Sequence, residues 1–169
     1  WKASFEKLKA YSRQANVLAI GECGLDKISS APFDLQQEVF VLQLQWAAVI
    51  KKPLIIHCVR AYDEVLRLLK QHPPSVPVVF HGFNKNLQLA EQVIRAGHYL
   101  SFGEALKHGP VQQVFRQLPV ERLFLETDDS SLSIGEMYHF AATALSLSEE
   151  TLSLQLQKNA TEVFGITFQ

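Results

Sequence analysis

Short apolar runs in this chain keep ending on a residue that can hold a metal ion: VLAIG leads to Glu22, PLII to His57, VPVVF to His81 and RLFLET to Asp128. A run of that length suits a buried strand. Parallel strands that each deliver one carboxylate or imidazole at the same end gather those groups on the C-terminal rim of a barrel. The spacing therefore predicts both an α/β architecture and a metal site.

The segments between the runs have helical signatures. Phe5 to Tyr11 has helical spacing and feeds the strand from Val17 to Glu22. Asp34 with Gln37 has the spacing of a capping box and opens a helix to about Ile50, ahead of a strand from Leu54 to Ile56. A helix over Ala61 to Gln71 stops at Pro73 and Pro74, and the third strand spans Val76 to Phe80. Asn86 to Ala96 is expected to be helical, with Gly97 supplying the left-handed turn at its end, and Tyr99 to Phe102 is the fourth strand. Pro110 starts a helix that ends near Leu118, before a fifth strand at Leu123 to Leu125. Ser133 with Glu136 caps one helix, and Ser148 begins another that runs to about Phe164. Strand–helix alternation implies parallel strands joined by right-handed crossovers. An eight-stranded barrel typically needs about 250 residues, so five strands in 169 residues imply an arc of one.

Composition narrows the functional classes. With 47% apolar and 20% charged side chains, the chain can bury a core, and one domain over residues 1–169 is expected. Sixteen basic residues against 17 acidic ones leave a formal charge of −1, so no broad basic field advertises nucleic acid. A polyanionic substrate would have to be drawn by bound cations or a local patch. The apolar stretch from Trp46 to Ile50 ends at Lys51 and Lys52, far too short to span a bilayer. A soluble, cytoplasmic protein without a membrane partner is the expectation. Cys23 and Cys58 each follow a candidate ligand, and the alternation of a strand turns them toward the helices as small buried hydrophobes.

Taken in order, Ala19-Ile20-Gly21-Glu22-Cys23-Gly24-Leu25-Asp26, Ile55-Ile56-His57, Phe80-His81-Gly82-Phe83, Gly97-His98-Tyr99-Leu100-Ser101-Phe102-Gly103 and Leu125-Glu126-Thr127-Asp128 resemble the TatD family of metal-dependent hydrolases. The resemblance extends over roughly Val17 to Phe164. It implies a TIM-type β/α barrel, here an incomplete one from its third strand onward, and a divalent-metal hydrolase that cleaves DNA phosphodiester bonds. Carried over by position, Glu22 corresponds to the metal-bridging carboxylate and His57 and His81 to imidazole ligands. Asp128 corresponds to the acidic residue that binds metal and accepts a proton from the attacking water. Two ions, Zn, Mg or Mn, are implied for a full-length site. Independently, imidazole and carboxylate are the donors those ions take, and one carboxylate can span two ions about 3.5 to 4 Å apart.

The sequence also departs from the family pattern. Val59 stands where the family's phosphate-contacting arginine usually lies, and Arg60, one residue later, becomes the candidate substrate contact. Ser130 stands where a proline is common. Glu126 is expected to support a ligand from behind, and Asp26 to cap a loop. His72, His98, His108 and His139 are expected to be ordinary structural histidines. No His-x-His motif occurs, although the family's first strand carries one. The expectation is an N-terminally truncated member, impaired in activity, whose exposed strand edge invites self-association. Two alternatives remain open: a non-catalytic barrel fragment, and a related metal hydrolase acting on esters or amides.

Overall fold

The computed structural model describes residues 1–168, and the chain divides after Val78 into two units. The first contains α1 (Lys2–Ser12), β1 (Ile20–Asp26), α2 (Phe33–Ile50), β2 (Leu54–Val59) and α3 (Tyr62–Gln71). The strands β1 and β2 pair in parallel, and α2 and α3 pack on them. Leu25, Phe40, Leu44, Ala47, Leu54, Ile56 and Val65 are fully or almost fully buried here, which is the apolar face each element was patterned to hide. Lys52 ties the loop after α1 down by donating to the Ser12 and Gln14 carbonyls at 2.5 and 2.7 Å. Trp46 Nε1 donates to Ser12 Oγ at 2.9 Å.

The second unit takes up β3 (Val78–Phe80) from Val79 and continues through α4 (Leu87–Arg95), β4 (Tyr99–Phe102), α5 (Gly109–Phe115), β5 (Leu123–Leu125), α6 (Ile134–Leu145) and α7 (Glu149–Phe164). The pairs β3–β4 and β4–β5 are both parallel. Its core is aromatic: Phe83 meets Phe102 edge-on at 5.5 Å, and Phe102 meets Phe115 edge-on at 5.0 Å. Helix α7 is sealed against the start of β5 by Asn159, whose buried amide donates to the Val120 and Leu123 carbonyls, both at 2.8 Å. Those two bonds satisfy a polar group that would otherwise be costly to bury.

Most expected helix signals are realised. Asn86 caps α4 by accepting from Leu89 N, Gly97 follows that helix at a φ of +89°, and Ser133 with Glu136 forms a complete capping box on α6. The box expected at Asp34 and Gln37 does not form. Pro32 is the N-cap of α2 and Asp34 lies inside the first turn, so its side chain is past the orphan amides a cap would serve. Helix α5 closes at Phe115 instead of Leu118, because the following residues tighten into turns through Gln117 N to Val114 O and Leu118 N to Phe115 O.

Three strands also differ from expectation, β2 by running on through His57 to Val59. β3 starts at Val78, after Pro77, which has no N–H to give a ladder and serves only as acceptor for Leu54 N. β1 starts at Ile20 and continues to Asp26, so Glu22 is not its last residue. Gly21 and Gly24 make the strand look finished early, yet both are there for close approach. A Cβ on Gly21 would lie 2.7 Å from Ile55 Cβ, and one on Gly24 would lie 2.1 Å from the His57 carbonyl oxygen.

Candidate functional site

In the first unit the site begins with backbone proximity. Gly24, at a φ of +146°, is registered opposite His57, and the pairing register of β1 slips between Ile20 and Cys23. That slip sits at Glu22. Its Oε2 lies 3.5 Å from His57 Nδ1, with 49% and 38% of the two side chains exposed. Two atoms bound to one cation at about 2.1 Å each lie at most ~4 Å apart, so this carboxylate–imidazole pair has the separation that shared ligation requires.

On the other edge of the same ring, Asp26 Oδ2 stands 3.9 Å from His57 Nε2. Asp26 is otherwise occupied as a loop cap, as the sequence suggests. Its Oδ1 accepts from Ile28 N at 2.8 Å, and its backbone N–H and C=O are both bonded by the Gln36 side-chain amide. Its approach to His57 could not be read from the sequence, because ending β1 at Glu22 left Asp26 outside the strand. Arg60 directly follows β2, is exposed and has a φ of +54°.

In the second unit, His81 directly follows β3 and Glu126 directly follows β5. His81 Nδ1 faces Glu126 Oε1 at 3.5 Å, and Gly82 N donates to the same oxygen at 2.7 Å. These side chains are mostly hidden, 12% and 18% exposed. Burial alone would raise the Glu126 pKa. Hydrogen bonds from His81, Ser101 and Gly82, with the His81 charge, outweigh it and hold the carboxyl below the usual range. An imidazole with Nδ1 turned to a carboxylate is the pairing seen behind ligating histidines generally.

Asp128 lies three residues beyond β5, exposed, at a φ of +46°. The turn that carries it is closed by Ser130 N donating to Thr127 O at 2.8 Å. Ser130 Oγ also donates to Glu104 Oε2 at 2.9 Å and accepts from Leu132 N at 3.1 Å. Where a proline would stiffen this loop, a side-chain hydroxyl ties it down instead.

Other titratable groups behave as structural ones. Cys23 is 1% exposed, and burial, reinforced by the Glu22 charge, pushes its thiol up to about 12. It is a buried hydrophobe, not a nucleophile. Burial pushes His98 down to about 4, and it stacks at a tilt on Phe80 with centroids 5.9 Å apart. His139 Nδ1 pairs with Glu149 Oε1 at 3.0 Å, and His72 and His108 are exposed. No helix among the described residues is long and apolar enough to cross a membrane.

Comparison with known proteins bears on this arrangement. The crystal structure of YjjV, the TatD homolog of Escherichia coli, superposes with a TM-score of 0.90 at 27% identity, covering 99% of this chain and 72% of that one. YabD of Bacillus subtilis, an uncharacterized metal-dependent hydrolase, is 34% identical over 131 residues, which are 72% of this chain and 49% of that protein. The 3'-5' ssDNA/RNA exonuclease TatD of Klebsiella pneumoniae is 32% identical over 130 residues, 73% of this chain and 49% of that one. The chain thus spans about half the length of these two curated relatives. The likeness to YjjV shows the fold class to be α/β of the β/α-barrel type, with five strands of it here. Residues 1–165 match the family described as TatD related DNase, and the chain belongs to that family of metal-dependent hydrolases.

Proposed function

We propose that this chain carries the metal-binding rim of a cytoplasmic, divalent-metal-dependent phosphodiesterase acting on DNA, with RNA as a second polymer. The observation that carries the reading is the pairing of ligand-type side chains in or just after the strands of each unit, Glu22 with His57 and His81 with Glu126. The name of the Klebsiella relative supports the substrate class.

In this reading Glu22, His57, His81 and Asp128 would serve as ligands to divalent Zn, Mg or Mn, two ions in a full-length site. Each of Glu22, His57 and His81 offers one nitrogen or oxygen atom of the type such ions take. A cation held there would lower the pKa of a water and offset the charge of the phosphate. Asp128, exposed on its tight turn, takes the proton of the attacking water. The water oxygen forms the new bond to phosphorus while one ester oxygen departs. Arg60, also exposed, contacts a non-bridging phosphate oxygen through its planar fork of donors. Glu126 keeps His81 oriented.

Incubating the chain with end-labelled single-stranded DNA and RNA oligonucleotides in Mg, Mn or Zn tests this. Cleavage should be abolished by chelator, and Asp128→Asn should slow it by roughly 10²- to 10⁴-fold. Hydrolysis of an ester or amide panel with no cut in either polymer would overturn the substrate class. The outer edge of β1, which among the described residues pairs with β2 alone, is proposed to seat a strand from a second copy. Sedimentation should reveal a concentration-dependent dimer, and a monomer at every concentration removes that part.

A further inference from the structure

Glu126 is a carboxylate only 18% exposed to solvent yet placed outside any strand, and such a group persists only if its oxygens are satisfied. Its partners come from the ends of two parallel strands, β3 and β4. Gly82 N, just after β3, donates to Oε1 at 2.7 Å, and the Ser101 hydroxyl of β4 bonds the same carboxylate. Gly103, just after β4, packs beneath it, where even a Cβ would make only ordinary contact, 3.4 Å from Glu126 Cγ. The one partner with two tautomers is His81, whose Nδ1 faces Oε1 at 3.5 Å. A carboxylate accepts and cannot donate when ionised, so a neutral ring facing it carries its proton on the near nitrogen.

We propose that Glu126 is a positioning residue that fixes His81 as the Nδ1–H tautomer, with Nε2 presented to the cation. This deepens the functional reading above and rests on it for the identity of the Nε2 partner. The backbone of Gly82 and the hydroxyl of Ser101 hold the carboxylate in turn, so the loops after β3, β4 and β5 share one network. Glu126 touches neither cation nor substrate and works only through His81.

The test uses the whole chain with ¹⁵N-labelled histidine, stripped of metal and held at pH 8, with the His81 signals assigned through His81→Gln. Wild type should show protonated Nδ1 and unprotonated Nε2 at His81. Glu126→Leu should move His81 toward the Nε2–H form. It should also weaken Mn or Zn binding by about 10- to 100-fold in calorimetry. Glu126→Gln keeps an acceptor for Gly82 N and serves if the leucine variant does not fold; it should fall between the two. A protonated Nε2 in wild type, or an unchanged tautomer in both variants, overturns the proposal, as does a changed tautomer with unchanged metal affinity. The tautomer is read without metal or substrate. A wild-type Nδ1–H form in a protein that binds no metal would therefore sink the functional reading and leave the tautomer assignment standing.

Discussion

Gly24 shows how much of this site depends on a residue with no side chain. Its φ of +146° and the 2.1 Å approach a Cβ would make to the His57 carbonyl leave no room for alanine. Gly24→Ala must push β1 away from β2 beside both Glu22 and His57. We expect a loss of more than about 3 kcal/mol in stability, read by urea titration, and weaker metal binding in whatever protein remains folded. A stability within about 0.5 kcal/mol of wild type would show that the strands have slack. At this scale the sequence was most legible where chemistry and pattern coincide. His81 and Asp128 each follow an apolar strand as expected, and Glu22 does find an imidazole neighbour. The approach of Asp26 to His57 was hidden, because the glycines that permit it mimic a strand end.

Among the elements, helix caps were readable when side-chain chemistry fixed them and unreadable when backbone geometry did. The Ser133–Glu136 pair satisfies two amides reciprocally, with Ser133 N donating to Glu136 Oε2 at 2.9 Å and Glu136 N to Ser133 Oγ at 3.3 Å. Asp34 and Gln37 have the same spacing, but Pro32 already occupies the N-cap position of α2. Ser133→Ala should therefore cost about 1 kcal/mol in chemical denaturation, while Asp34→Ala should stay within about 0.5 kcal/mol. Equal losses would mean that the two starts are not distinguished by capping. The strand–helix alternation itself was fully legible from periodicity. Strand boundaries at Pro77 and Gly24 were not, because pairing across strands sets them and a single sequence does not display its partners.

At the scale of the whole molecule, each unit brings its own parallel strands and its own ligand-type pair, Glu22 with His57 in the first and His81 with Glu126 in the second. The fold class was legible in the repeated strand–helix order, and the family in the motifs that end those strands. The formal charge of −1 gives no hint of a polyanion, since the cations proposed to attract it are not part of the sequence. The central claim is that the strand-borne ligand residues hold a divalent cation. Calorimetric titration of Mn or Zn into wild type, His57→Ala and His81→Ala tests it most directly. We predict that removing either imidazole weakens metal binding by at least about tenfold. Unchanged affinity in both variants would contradict the claim.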